Sequence, residues 1–206
     1  MKTRIFNLLI LDESGSMCSI EKQAIDGVNE TLQSVRAAQK KYEDQEHYVS
    51  FVTFNSSSIK TVLDRVEATK VEDITPGQYN PSCSTPLYDA IGKSVMELKK
   101  SVAENDKVLV TIITDGYENA SREYSQSSVK ALTEKLGQRG WTFAYIGANQ
   151  DAMAVSHGLG IKNAMNFEAT VCGTVMMSQK LAASRERWFN RISENDVNAE
   201  EDFFGE

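Results

Sequence analysis

The chain has 206 residues, which is enough for one substantial hydrophobic core and short for two. Its 41% hydrophobic and 25% charged residues are ordinary for a globular protein. The formal net charge of −7 argues against nucleic acid and anionic membranes as partners, and no apolar run approaches the roughly 20 residues of a membrane span.

The first part of the chain alternates between strand and helix patterns. An almost continuous apolar run over residues 5–11 predicts a strand buried on both faces. The run is short, contains Asn7 and precedes no small-residue cleavage site, which argues against a signal peptide. Helical spacing of apolar residues then predicts a helix over 19–41. Two runs rich in β-branched residues, 48–54 and 59–63, are separated by a serine-rich turn and predict a hairpin.

The rest of the chain continues this alternation after an irregular stretch. Helices are predicted over residues 85–102, 127–137, 149–157 and 170–192, and strands over 107–114, 141–146 and 163–167. Alternating strands and helices predict an α/β fold, a three-layer, doubly wound, mostly parallel sheet with one antiparallel edge strand. Residues 1–192 are predicted to form one domain. The acidic stretch 193–206 is expected to be a flexible C-terminal tail.

Polar residues stand at the predicted carboxyl ends of the strands. Asp12, Ser14 and Ser16 follow the first strand, and Asp115 follows the most strand-like later run. Thr85 precedes a helix. Ligands of open parallel sheets bind beyond the carboxyl ends of the strands, so we expect these five side chains to converge there. Two carboxylates and three hydroxyls suit a hard cation, Mg²⁺ first, with Mn²⁺ and Ca²⁺ as alternatives.

Each of these residues also has an ordinary structural explanation. Asp12 could cap loop amides, the serines could be turn residues, and Asp115 could belong to a simple turn. Thr85 could be the N-cap of a helix that has Pro86 at its first position. These explanations treat each residue singly, whereas the combination of three separate segments with oxygen-bearing side chains favours the metal site.

Other polar residues near these segments are given structural roles. Glu13 and Glu118 are expected to be solvated side chains that flank the site. Cys83 is expected to be a small buried residue. The chain's other cysteines are Cys18 and Cys172; the three are far apart and include no C-x-x-C, which argues against a disulfide framework and a zinc site. A reducing compartment, the cytoplasm, is expected.

The order of these segments matches a known pattern. Asp12, Ser14 and Ser16 form D-x-S-x-S, Thr85 lies in a later loop, and Asp115 stands in Thr-Asp-Gly. At these positions the chain resembles the von Willebrand factor A (VWA) domain family and its metal-ion-dependent adhesion site (MIDAS), over about residues 4–192. The resemblance implies the five residues as metal ligands, a VWA-like doubly wound fold and protein binding without catalysis.

The site and the resemblance each indicate a kind of partner. Two carboxylates neutralise a divalent ion, and an open coordination position can take one more carboxylate, so an exposed Asp or Glu of another protein is expected. The resemblance implies partners of certain classes, because bacterial cytosolic members of the family often work beside ATPases, kinases or phosphatases. A protein of one of these classes is therefore the expected partner, and neither nucleic acid nor a membrane is.

Two other functions compete with this interpretation. An Asp at the end of a first strand also resembles the haloacid-dehalogenase-like phosphatases, which use Asp as nucleophile together with Mg²⁺. Those enzymes need a second Asp two residues on, where this chain has Ser14. A Mg²⁺-dependent phosphatase-like hydrolase using Asp12 is therefore the alternative. A nucleotide-binding sheet ranks last, because neither G-x-G-x-x-G nor a P-loop motif occurs.

Overall fold

The computed structural model describes residues 2–148, 150–168, 170–196 and 202–205. Strands and helices alternate along these residues, as the sequence pattern predicts. They are β1 (Thr3–Asp12), α1 (Glu21–Lys41), β2 (Gln45–Phe54), β3 (Ile59–Glu67), α2 (Leu87–Lys99), β4 (Lys107–Thr114), α3 (Gln126–Gly137), β5 (Trp141–Ala148), α4 (Ala152–Gly158), β6 (Asn163–Phe167) and α5 (Val171–Ser193).

The strands form a six-stranded sheet in the order β3-β2-β1-β4-β5-β6. All neighbouring strands are parallel except β2 and β3, which pair antiparallel at one edge. The prediction of a doubly wound, mostly parallel sheet with one antiparallel edge strand is confirmed. The strand order reverses between β1 and β4, so the crevice where such sheets bind ligands lies at the carboxyl ends of these two strands.

Each face of the sheet is covered by helices. Alternate residues of β1 enter different cores: Ile5 and Leu9 pack with α1 and α5, whereas Leu8 and Ile10 pack with α2 and α3. A strand buried on both faces has no position for a polar residue to reach water, which explains the continuous apolar run of β1. Packing against the two cores fixes the positions of β1 and β4, and therefore also the positions at which the loops after these strands begin.

Part of the acidic C-terminal stretch is packed against the domain, in contrast to the prediction of a flexible tail. Phe203 and Phe204 are only 2% and 6% exposed and belong to the core beneath α1 and α5. The Phe203 amide donates to Asn163 Oδ1 over 2.8 Å, and Arg187 Nη2 donates to the Phe204 carbonyl over 2.8 Å. Burial of two aromatic rings outweighs the tendency of the surrounding acids to remain solvated. Residues 197–201 and 206 of the stretch lie outside the described residues, and the domain boundary at 192 stays a prediction.

Candidate metal centre

Asp12 forms the floor of the site. It is the last residue of β1 and its side chain is fully buried. One carboxylate oxygen, Oδ1, accepts a hydrogen bond of 2.8 Å from the Ser14 amide, and Oδ2 accepts one of 2.5 Å from the Thr114 hydroxyl. The pKa of Asp12 is raised to about 6, mainly by burial and to a lesser extent by the charge of Asp115, although the hydrogen bonds from Thr114 and Ser14 favour the ionised form.

Ser14 lies in the buried part of the site, beside Asp12, and Ser16 lies at its solvent-exposed edge. Ser14 is 2% exposed, and its hydroxyl lies 3.2 Å from the hydroxyl of Ser16, which is exposed. Ser16 Oγ donates a hydrogen bond of 2.5 Å to Asp115 Oδ1. A turn of 3₁₀ helix begins at Gly15, directly after Ser14, and the Ser16 hydroxyl reaches the residue that follows β4. Partial burial raises the pKa of Asp115, and the Ser16 hydroxyl opposes that shift.

Thr85 reaches the same volume from the loop before α2. Its side chain is 3% exposed. A Cβ built on Gly116 would lie 2.8 Å from Thr85 Oγ1 and 3.5 Å from Asp12 Oδ2. The Thr85 hydroxyl and the Asp12 carboxylate therefore border the same small space beside the Gly116 backbone, and only a residue without a side chain fits between them.

The N-cap explanation of Thr85 is wrong. α2 begins at Leu87 with Pro86 as its N-cap, and no side-chain bond is made from that position. Glu118 accepts instead from the Tyr88 amide over 2.9 Å. A carboxylate supplied by a neighbouring loop thus satisfies the start of the helix, and the Thr85 hydroxyl makes no capping bond.

Hydrogen bonds tie the three loops to one another. Gly15 N donates to the Cys83 carbonyl over 3.0 Å. Thr85 and Asn119 bond reciprocally: the Thr85 amide donates to Asn119 Oδ1 over 2.8 Å, and the Asn119 amide donates to the Thr85 carbonyl over 3.1 Å. The buried Tyr79 hydroxyl donates to the Asp12 carbonyl over 2.6 Å. These bonds to the backbone position the three loops without using the side-chain oxygens of the five candidate residues.

Three expectations about the residues around the site need correction. Glu13 is 8% exposed rather than solvated, because its Oε1 accepts from the Asn80 amide over 2.6 Å and supports the loop. Glu118 is partly buried and holds the start of α2. Cys83 is exposed rather than buried, and its backbone is left-handed with φ of 65°.

Sequence analysis missed Thr114 and Tyr79, which orient Asp12 from β4 and from the irregular loop. Thr114 directly precedes Asp115, and that adjacency is the only signal the sequence offers for it. Tyr79 carries none, because its contact with Asp12 joins residues 67 positions apart through an irregular loop.

The charge of the site favours a cation. In the part of the chain that the structure describes, neither Asp12 nor Asp115 forms an ion pair with Lys or Arg. The same residues contain no cluster of three or more His, Cys, Asp or Glu that could hold a metal. What the site offers is two carboxylates and three hydroxyls, an all-oxygen set that fits a hard divalent ion.

Comparison with known proteins finds similarity in structure only. No protein-family model and no curated protein matches the sequence. Among solved structures, the pilus adhesin SpaC from Lactobacillus rhamnosus GG matches with a TM-score of 0.65 and 13% identity, over 89% of this chain and 30% of that chain. The vWF domain of the type V pilus tip protein Mfa5 from Porphyromonas gingivalis matches with a TM-score of 0.61 and 8% identity, over 89% and 96%.

The chain has the fold of the von Willebrand factor A domain.

A third VWA-like match carries a metal. Proximal thread matrix protein 1 from the mussel byssus, with a zinc-occupied MIDAS motif, matches with a TM-score of 0.58 and 16% identity, over 86% of this chain and 47% of that chain. This chain spans less than half the length of the mussel protein and of SpaC. At these identities the comparisons establish the VWA fold, and the activities of the longer proteins are their own.

Proposed function

We propose that this chain is a protein-binding module whose binding depends on a divalent cation held by Asp12, Ser14, Ser16, Thr85 and Asp115. The observation that carries the proposal is the convergence of these oxygens around one buried carboxylate that has no cationic partner among the described residues. The zinc-occupied MIDAS of the mussel protein supports metal binding in this fold. When bound, the ion would offer a coordination position that a carboxylate of the partner can take.

The five residues would contribute to binding the ion in different ways. Asp12 supplies negative charge in a buried place, where it attracts a cation more strongly than at the surface. Ser14 and Thr85 offer neutral oxygens that satisfy coordination without adding charge. Asp115 and Ser16 stand at the rim, nearest to solvent, where the partner would arrive. Mg²⁺ is the proposed ion because every donor is oxygen, and Mn²⁺ and Ca²⁺ suit the same donors.

The proposed partner is a protein that presents an Asp or Glu side chain. SpaC, which shares the fold, is a pilus adhesin, and this supports a role in protein interaction. That the partner is an ATPase, kinase or phosphatase, and that the chain is bacterial and cytoplasmic, stay predictions from the family resemblance. Among the helices that the structure describes, none has the length and apolar character needed to cross a membrane.

We propose a non-catalytic role for Asp12, against the phosphatase alternative. The Asp12 carboxylate is fully buried at the base of the site, where a single ion fits more readily than a phosphate ester, so it is badly placed to attack a phosphorus atom. Ser14 occupies the position of the acid/base residue and its hydroxyl cannot serve that purpose near neutral pH. Turnover of p-nitrophenyl phosphate with Mg²⁺, abolished by Asp12→Asn, would establish the hydrolase instead.

Titration calorimetry tests the metal site directly. We expect the full chain, freed of metal by a chelator, to bind one Mg²⁺. Asp12→Asn, nearly isosteric, should weaken that binding at least about tenfold because a charged ligand is lost. The control is Asp26→Asn, an exposed carboxylate that pairs with Lys22 on α1. A wild-type chain that takes up none of Mg²⁺, Mn²⁺ or Ca²⁺ would refute the proposal.

A further inference from the structure

An open groove lies between β6 and the beginning of α5. Its volume is about 940 Å³, which is large enough for several side chains. Its walls are mainly apolar. Residues that line it include Tyr117, Met165, Phe167, Met176 and Met177.

Large apolar side chains are exposed on α5 at and beside the groove. Met176, which lines the groove, is 64% exposed. Val171 and Val175, one turn apart on the neighbouring surface of α5, are 64% and 47% exposed. Tyr117, on the opposite side, is 60% exposed. A cluster of exposed apolar side chains often marks a site where a protein binds a partner.

The groove begins at the edge of the candidate metal centre. Tyr117 stands two residues after Asp115. Gln150, which also lines the groove, donates through Nε2 to the Thr114 carbonyl over 3.3 Å, and the Thr114 hydroxyl bonds Asp12. A ligand whose carboxylate reached the metal position would therefore have the groove directly beside it.

The chain itself shows what the seam between β6 and α5 accepts. Phe203 and Phe204 are buried against these elements. Lys180 lies 5.7 Å above the Phe204 ring and also lines the groove, so the groove continues the seam that the two rings occupy. The residues around this pair are acidic. An aromatic pair flanked by acids is thus already accommodated in one part of the seam.

Charge in the groove decides how a ligand must be arranged. Asp151 and Glu168 line it, whereas Lys180, which also lines it, lies over the Phe204 ring. A ligand carboxylate beside the two acids would be repelled. The ligand's acid therefore belongs at the metal end, and its apolar side chains belong in the groove.

We propose that the groove and the metal centre together bind one extended segment of a partner protein, carrying an Asp or Glu followed by aromatic or long aliphatic residues. The inference rests on the proposed metal-dependent function and adds the class of sequence that is recognised. The carboxylate supplies the metal-dependent contact, and the apolar residues supply buried area and specificity.

Phage display tests the proposal. A library of random dodecapeptides is selected on the immobilised full chain in the presence of Mg²⁺. We expect the enriched peptides to pair an acid with nearby aromatic or aliphatic residues and to be released by chelator. Binding of these peptides should fall at least about tenfold in a Tyr117→Ser/Met176→Gln double variant. It should be unchanged in Met153→Gln, which alters a methionine that is 56% exposed on α4.

The other outcomes separate the two proposals. Acidic peptides released by chelator but without apolar preference, and bound equally by the double variant, would overturn the groove and leave the metal-dependent function standing. Peptides bound equally with chelator would overturn both, and calorimetry with Mg²⁺ would show whether the ion itself fails to bind. No enrichment at all would also overturn the groove. Circular dichroism and Mg²⁺ calorimetry of the double variant confirm that its fold and metal site are intact.

Discussion

At the scale of single residues, the site is organised around a buried acid that the protein has not neutralised. Asp12 ends β1, and its carboxylate accepts hydrogen bonds from the Ser14 amide and the Thr114 hydroxyl, with the Ser14 hydroxyl also favouring the ionised form. These bonds are too few to offset burial, which is why its pKa stands at about 6. A cation would relieve this unfavourable burial, so the arrangement is better suited to binding than to stability.

Gly116 provides a test of Thr85 that replaces none of the proposed ligand residues. In Gly116→Ala the new methyl carbon would lie 2.8 Å from Thr85 Oγ1, too close to be tolerated, and would push the hydroxyl away from Asp12. We expect Mg²⁺ affinity, measured by calorimetry, to fall roughly 10- to 100-fold. Gly77→Ala is the control, because no atom lies within 4 Å of the place that its new methyl group would take. Wild-type affinity in Gly116→Ala would argue that Thr85 is not a ligand.

The five residues proposed as ligands could be chosen from sequence because each is a polar residue near the end or beginning of a clearly patterned element, and their role as ligands stays a prediction. The residues that support them could not. Tyr79 and Asn119 act through loops whose paths no periodicity describes, and their bonds join positions far apart in the chain. The prediction of a solvated Glu118 is wrong for the same reason, since its role depends on where the start of α2 lies.

At the scale of elements, the strands and helices were predictable to within a few residues, and the C-terminal segment was not. β4 and β6 have the predicted bounds, and β4 is the clearer case because a strand buried on both faces leaves a distinct apolar pattern. Residues 202–205 carry no such pattern. The acids around Phe203 suggest a solvated end, and only the surface formed by β6 and α5 decides that the ring is buried.

The packing of this segment can be measured. Phe203 is 2% exposed, so Phe203→Ala removes most of a buried aromatic ring and should lower the free energy of unfolding by about 3–5 kcal/mol. Urea denaturation at neutral pH gives the value. The control, Met153→Ala, alters an exposed side chain on α4 and should stay within about 0.5 kcal/mol of wild type. A Phe203→Ala change as small as that of the control would restore the interpretation of a flexible tail.

At the scale of the whole molecule, the sheet is the feature that sequence predicts best, and its buried polar groups are the feature it predicts least. Arg185 is 2% exposed on α5, and its guanidinium donates to Thr31 Oγ1 over 2.8 Å and to Thr111 Oγ1 over 3.1 Å. Burial lowers its pKa to about 9. Helical periodicity alone would place an arginine at the surface, and only the three-layer packing explains why this one joins α1, α5 and β4.

His47 is a second buried ionisable group in the interior of β2. It is fully buried, with Nε2 3.0 Å from Gln45 Oε1 and its ring 4.7 Å from the ring of Phe189. Its Nδ1 has no hydrogen-bond partner among the described residues. Burial lowers the pKa of His47 from 6.5 to about 4, and the nearby charge of Asp44 only partly opposes this. Protonation of this imidazole is therefore costly in the folded state.

The stability of the whole fold should consequently depend on pH through His47. Because the pKa is lower in the folded than in the unfolded chain, the unfolded chain binds the proton first as pH falls below 6.5. Relative to His47→Gln, the wild-type free energy of unfolding should be constant above about pH 7.5 and fall by about 2 kcal/mol by about pH 5, since one pKa unit corresponds to about 1.4 kcal/mol. Urea denaturation across this range measures the difference, and carboxylates that titrate in both proteins cancel. The control is His157→Gln, which replaces an exposed imidazole and leaves His47 in place, so its stability should follow the wild-type curve. Parallel curves for wild type and His47→Gln would mean that His47 is protonated as readily in the folded chain as in the unfolded one.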